Sequence, residues 1–234
     1  PDESSPESRD AHFRIRGPVV RHLVETFADD WELATGESLD LSMWCAEPGA
    51  AGDVTARGIA CGPDQDLGRV YALLLGALRT ARDRIDLMSP YFIPDAAILG
   101  ALTTASLAGV RVRLLLPRQT DHMFMLWAAR AYLWELVERG IEVWEIGPGF
   151  VHSKLTVVDG QWVLFGSSNL DARSFRLNFE FNVETYSPDL AGRVLEYMEG
   201  FLPTARHITL RELRRESYLE RLRNQAVKLF SPFL

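Results

Sequence analysis

Hydrophobic and polar positions alternate most regularly over residues 151–158. β-Branched residues recur there, and His152, Lys154, Thr156 and Val158 fall on one face of a predicted strand. Asp159-Gly160 is a strong hairpin pair, and residues 161–166 predict the returning strand. A two-residue turn pairs positions whose numbers sum to 319, setting Ser167 opposite His152; a bulge shifts that register by one. Upstream the period changes. Residues 67–82 have amphipathic helical spacing, 85–89 predict a strand ending in Ser-Pro-Tyr-Phe-Ile-Pro, 95–108 a helix, and 110–116 a strand. Residues 121–138 predict a long helix closed by Gly140, and 141–146 a strand before a Gly-Pro-Gly loop. Helices and strands in alternation, with a hairpin inserted, imply an α/β fold: a mixed β-sheet sandwiched between helices, with the active groups at strand ends.

A second pattern emerges when the chain is compared with itself at an offset of 170 residues. Asp10 then matches Glu180, Phe13 Val183, Pro18 Pro188, Val20 Leu190, Val24 Val194, Phe27 Tyr197 and Trp31 Phe201. Each stretch reads as a strand, a proline-started turn and an amphipathic helix. The expected organisation is therefore a tail of a preceding repeat over residues 1–32 and a linker over 33–66, rich in Gly, Ala, Pro and acids with a short strand near 58–61. One complete repeat follows over 67–202, and then a basic amphipathic extension over 203–234. On this reading the body of the first repeat lies upstream of Pro1.

The hairpin carries the chemistry. An imidazole and an ammonium stand two residues apart, and the returning chain brings a hydroxyl and an amide to the same end, a set that suits a tetrahedral phosphate. Lys154 offers charge, Ser167 and Asn169 neutral hydrogen bonds, and His152 a nucleophile or a proton for a leaving alkoxide. No metal and no cofactor are required. Asp159 either holds the turn in register or touches substrate.

The run His152-x-Lys154-x4-Asp159-x6-Gly166-Ser167-x-Asn169 resembles the signature of the phospholipase D superfamily at every position. The resemblance implies that His152 is one of two histidines across a shared pocket, one forming a phosphohistidine and the other serving as acid and then base. It also implies that Glu180 accepts a hydrogen bond from the far ring nitrogen of His152, with Glu184 as the fallback. Asp10 would then orient a histidine outside this chain. Tyr91 and Phe92 are placed either at the pocket rim or in the core. The segments near Asp10 and Trp31, and the closing Leu-Phe-Ser-Pro-Phe-Leu, are similar to the C-terminal half of bacterial cardiolipin synthases.

This resemblance implies phosphatidyl transfer between phosphatidylglycerol-like phospholipids. Hydrolysis of phospholipid phosphodiesters on the same scaffold is the alternative, as is an inactive half that binds a partner. The implied partners are a phospholipid substrate, an anionic membrane surface, and a first repeat or homodimer partner to complete the site. The implied location is peripheral, on the cytoplasmic side of the bacterial inner membrane.

Composition narrows these classes. The apolar content of 47% with a formal charge of −7 describes a globular chain and argues against a nucleic-acid surface. Cys45 and Cys61 are too few for a disulfide scaffold, so free thiols in a reducing compartment are expected. Residues 206–234 hold seven Arg or Lys against three Glu with apolar residues interspersed, a pattern for a helix lying on anionic lipid or packed on the first repeat. Met123, Phe124, Met125, Leu126 and Trp127 carry more apolar surface than one helix face needs, as a membrane-facing lip or a buried helix does.

Overall fold

A computed structural model describes residues 8–44, 49–63 and 66–230. Cys45 and the closing residues 231–234 lie outside the described residues. In chain order the elements are β1 (Ser8–Arg9), α1 (Val20–Thr35), α2 (Leu41–Trp44), β2 (Thr55–Cys61), α3 (Arg69–Thr80), β3 (Arg84–Met88), α4 (Ala96–Leu107), β4 (Arg111–Pro117), α5 (Met123–Glu138) and β5 (Glu142–Ile146). They continue with β6 (Phe150–Val151), β7 (Leu155–Val158), β8 (Trp162–Gly166), α6 (Ala172–Arg176), β9 (Glu180–Tyr186), α7 (Pro188–Glu199), β10 (Arg206–Ile208), α8 (Leu210–Leu213) and α9 (Tyr218–Lys228).

Eight strands form one sheet in the order β10-β5-β4-β3-β7-β8-β9-β2. The crossovers through α4 and α5 make β3, β4 and β5 parallel, whereas the short turn after β7 and the longer connection through α6 after β8 leave those pairs antiparallel. Successive residues of one strand enter different cores. Val112, Leu114 and Leu116 join a cluster with α3, α4 and α5, while Leu115 meets Val194 and Met198 of α7 on the other side. Burial on both faces explains why these strands read as continuous apolar runs. The buried Arg113 spans the second layer, donating to Asp86 at 2.6 Å and to Glu199 of α7 at 3.1 Å.

Three expectations change. The short strand expected near 58–61 is longer: β2 covers 55–61, pairs with all seven residues of β9 and closes one edge of the sheet. At the other edge β10 pairs with β5, so the C-terminal extension begins as part of the sheet and then folds into two short helices. Thr209 with Glu212 and Ser217 with Glu220 start those helices as capping boxes, which is why one long helix does not form.

The third change concerns the hairpin. The loop between Val158 and Trp162 holds Asp159, Gly160 and Gln161, with Asp159 and Gly160 at φ of 53° and 62°. Its extra residue makes paired numbers sum to 320, as Leu155↔Phe165 does, so Ser167 is not opposite His152. The strand over 151–158 is also interrupted. Phe150 and Val151 pair in parallel with Ser8 and Arg9 in a separate two-stranded ladder, and the main sheet resumes only at Leu155. His152, Ser153 and Lys154 occupy the gap.

Candidate active site

The gap between β6 and β7 is held from below. The His152 N–H donates to the Arg9 carbonyl at 2.8 Å, and the buried Ser153 hydroxyl accepts from the Ala11 N–H at 2.9 Å and meets the Tyr197 hydroxyl at 3.2 Å. These contacts turn both flanking side chains outward. Lys154 Nζ lies 2.9 Å from each ring nitrogen of His152 and donates to the His152 carbonyl at 2.7 Å. His152 Nδ1 lies 3.5 Å from Asp10 Oδ2, with the two side chains 40% and 42% exposed. An imidazole, an ammonium and a carboxylate thus share one open edge.

Burial lowers the Lys154 ammonium to about 8, against the opposing pull of Asp10, Glu180, Asp171 and Asp121. Tyr91 closes one side, its ring 6.5 Å from that of His152 and its hydroxyl 2.5 Å from Asp121. Burial and this carboxylate raise the phenol well above its usual range, so it stays protonated. Asn169 Oδ1 is buried without a hydrogen-bond partner.

Other expected residues stand elsewhere. Glu180 has no hydrogen bond or ion pair to His152 among the described residues; its carboxylate accepts from Asn178 at 3.0 Å. The fallback Glu184 is buried, taking the Trp162 indole N–H at 2.9 Å and Arg57 at 2.5 Å. The topology explains both. β9 stands beyond β8, two strands from the gap, whereas β1 is hydrogen-bonded directly to β6 and delivers Asp10 to the ring. Phe92 is fully buried and bridges to Leu170, so it is core and not rim. Ser167 is exposed, its Oγ accepting from the Phe181 N–H at 3.0 Å; its own proton has only a 3.4 Å contact with the Phe181 carbonyl. Gly166 before it must be glycine because a Cβ there would lie 2.3 Å from the Phe181 carbonyl oxygen.

Asp159 sits at the far end of β7 from His152. Its carboxylate gathers the backbone N–H groups of Arg82, Asp83 and Arg84 at 2.8–3.1 Å. Burial pushes this carboxyl up, but the three N–H donors outweigh it and hold it below the usual value. The group therefore ties the hairpin to the α3–β3 loop. Asp159→Asn is expected to lower stability by about 1–2 kcal/mol at neutral pH. Because the folded-state pKa is depressed, the deficit is present in full above the unfolded carboxylate pKa and shrinks as pH falls through the folded value. Denaturant midpoints of both proteins across the acid range check it; an equal deficit throughout would point to another cause.

Comparison with known proteins places these residues in a family. The sequence profile of the cardiolipin synthase, PLD-like domain matches residues 74–202, more than half of the chain. The chain belongs to this phospholipase D-like family. Cardiolipin synthase A of Pseudomonas syringae pv. syringae is 38% identical over 226 residues, covering 97% of this chain and 47% of the relative, so the chain spans about half of that protein's length. Among solved structures, phosphatidylserine synthase of Haemophilus influenzae superposes with a TM-score of 0.63 at 16% identity, over 92% of this chain and 54% of that one. Nuc of Salmonella typhimurium, a phospholipase D family member, gives 0.57 at 24% identity over 67% and 99%. At these identities the superpositions establish the phospholipase D fold. The family domain contains everything from His152 to Asn169, but Asp10 lies outside it. Asp10 was visible in the repeat pattern; the pattern assigned it to a different histidine, because sequence offset does not show which repeat a carboxylate faces.

Proposed function

We propose that this chain supplies one half of a phosphatidyltransferase site that moves a phosphatidyl group between phospholipid alcohols through a phosphohistidine. The supporting observation is the Asp10–His152–Lys154 cluster at an open edge, on a chain whose relatives include cardiolipin synthases. Asp10 lies 3.5 Å from Nδ1 and Lys154 Nζ 2.9 Å from both ring nitrogens; in the proposed scheme Nδ1 carries the proton toward Asp10 and Nε2 keeps the lone pair of a nucleophile or a general base. In the transfer, one imidazole nitrogen forms a P–N bond as the P–O bond to the leaving glycerol alcohol breaks, and a second histidine gives that alkoxide its proton. The acceptor alcohol then loses its proton to the second histidine, forms the new P–O bond and releases the imidazole. Lys154 and the Asn169 amide act on the nonbridging oxygens.

Electrostatics supports a shared site. Four carboxylates bear on Lys154, so a phosphodiester entering this edge alone would meet more negative than positive charge. A further histidine and cation from a first repeat or from a second copy would correct the balance. On this reading the chain acts as a peripheral protein at a bacterial membrane, and we assign it to the cytoplasmic face. Among the described residues no helix is long and apolar enough to cross one.

The test incubates phosphatidylglycerol with the chain alone and with a two-repeat form carrying a cardiolipin synthase first repeat ahead of residue 1. Cardiolipin and glycerol are expected from the second and no turnover from the first. Phosphatidic acid as the product would make the enzyme a hydrolase, and brisk turnover by monomeric chain would overturn the two-histidine scheme. In the two-repeat form, kcat/KM is expected to fall above about pH 8 as Lys154 loses its proton in the free enzyme. Lys154→Arg should shift that limb upward; a flat profile from pH 7 to 10 would remove Lys154 from phosphate binding.

A further inference from the structure

The inward side of α9 is largely polar, with Val227 partly buried against the core. Asn224 is buried, the Gln225 amide donates to the Ala131 carbonyl of α5 at 3.4 Å, and Lys228 lies 4.0 Å from the Tyr132 ring centroid. At 100° per residue, Tyr218, Leu222, Ala226 and Leu229 share an arc of about 80°, and Asn224 points about 180° from the middle of the apolar face. Tyr218, Leu219, Leu222, Leu229 and Phe230 are 53–79% exposed. A surface helix that only covered the core would turn these side chains the other way.

The apolar face is flanked by arginines and leads toward the active-site edge. Arg211, Arg214, Arg215 and Arg221 are exposed, and residues 206–230 carry seven cations against three glutamates in a chain of formal charge −7. Arg223 lies 4.4 Å from the Trp127 ring centroid, Trp127 stands edge-on to the exposed Phe124 at 5.5 Å, and Phe124 is three residues along the chain from Asp121, the partner of Tyr91 beside His152.

We propose that the outer face of α9, continued by Met123 and Phe124 at the start of α5, docks on an anionic phospholipid bilayer. Apolar side chains enter the headgroup boundary and the flanking arginines meet lipid phosphates. A second copy of this chain fits less well, because a two-fold contact would bring like-charged arginine rims together. The inference rests on the proposed function only in taking the substrate to be a membrane lipid; it adds which surface faces the membrane and sets the His152 edge beside it.

Vesicle co-flotation of the chain tests it. Binding to phosphatidylglycerol/phosphatidylcholine vesicles and weak binding to phosphatidylcholine alone are expected, with salt reducing the difference. Leu222→Asp combined with Leu229→Asp should cut binding about tenfold or more without changing the melting temperature, since both side chains stand in solvent. Arg214→Glu with Arg215→Glu should remove most of the preference for the anionic vesicles. Unchanged flotation of the aspartate variant, no binding by the original chain, or a dimer that the aspartate variant dissolves would each overturn the proposal. In the two-repeat form, turnover of short-chain, monomeric phosphatidylglycerol should be the same with and without the aspartates, and its loss in that variant would count against a pure docking role. Vesicle binding without turnover by the unsubstituted two-repeat form would leave the docking face standing and remove the transfer reaction.

Discussion

Replacing His152 by asparagine is expected to leave a folded protein that forms no product. The side chain is two-fifths exposed and contributes no packing to either core cluster, so an amide of similar reach keeps the backbone contacts of the β6–β7 gap. Asparagine cannot form or release a P–N bond. In the two-repeat form the loss should be on the order of 10⁴-fold or more, as when a nucleophile is removed from a unit that acts together. Phosphate-trapping on the wild-type protein followed by peptide mapping adds a direct readout. A His152→Asn enzyme within tenfold of wild type would place the chemistry on other residues.

The second large effect separates two carboxylates. Asp10→Asn is expected to lower kcat by on the order of 10²-fold or more, because an amide in place of the acceptor beside Nδ1 allows the wrong tautomer and no longer balances an imidazolium. The loss should stay below the largest effects of this type because the pair is 3.5 Å apart and partly solvated. Since Asp10 acts through His152, KM should change less than kcat, Asp10→Glu should recover part of the loss, and the pH dependence attributed to the imidazole should move. Glu180→Gln is expected to act differently, weakening support for the Lys154 charge and raising KM more than it lowers kcat. If Glu180→Gln alone gives the collapse in kcat, the ring is oriented by β9 in solution and Asp10 is a bystander.

Much of this arrangement is legible in the residues. The helix and strand periods of 67–146 come from runs of buried positions long enough to override local noise, and the His-x-Lys hairpin carries its own turn signal. What escapes has physical reasons. β2, Thr-Ala-Arg-Gly-Ile-Ala-Cys, is legible near 58–61, but its start at Thr55, with Ala and Gly among its residues, is set by pairing with β9. The hairpin register depended on whether Gln161 belonged to the turn, a choice of one residue that moves every partner. Tyr91 and Phe92 look alike by composition, and only the bridge to Leu170 sends one to the core and the other toward His152. The approach of Asp10 to His152 depends on a two-residue parallel ladder 142 positions apart in sequence, Ser8 to Phe150, which no local pattern announces. For α9, amphipathic spacing reveals two faces but not which one turns inward; that follows from the aromatic surface of α5.

The ladder between β1 and β6 also bears on how such chains can be recombined. A swap confined to residues 74–202 would transplant the imidazole and abandon its acid, because the latter travels with the leading dozen residues. Chimeras built on that boundary should fold yet run slowly unless the recipient furnishes an aspartate or glutamate at the same place. Those that carry residues 8–17 along with the graft should keep their speed. Shuffling experiments on these enzymes therefore have a natural seam ahead of the first helix rather than at the edge of the recognised module.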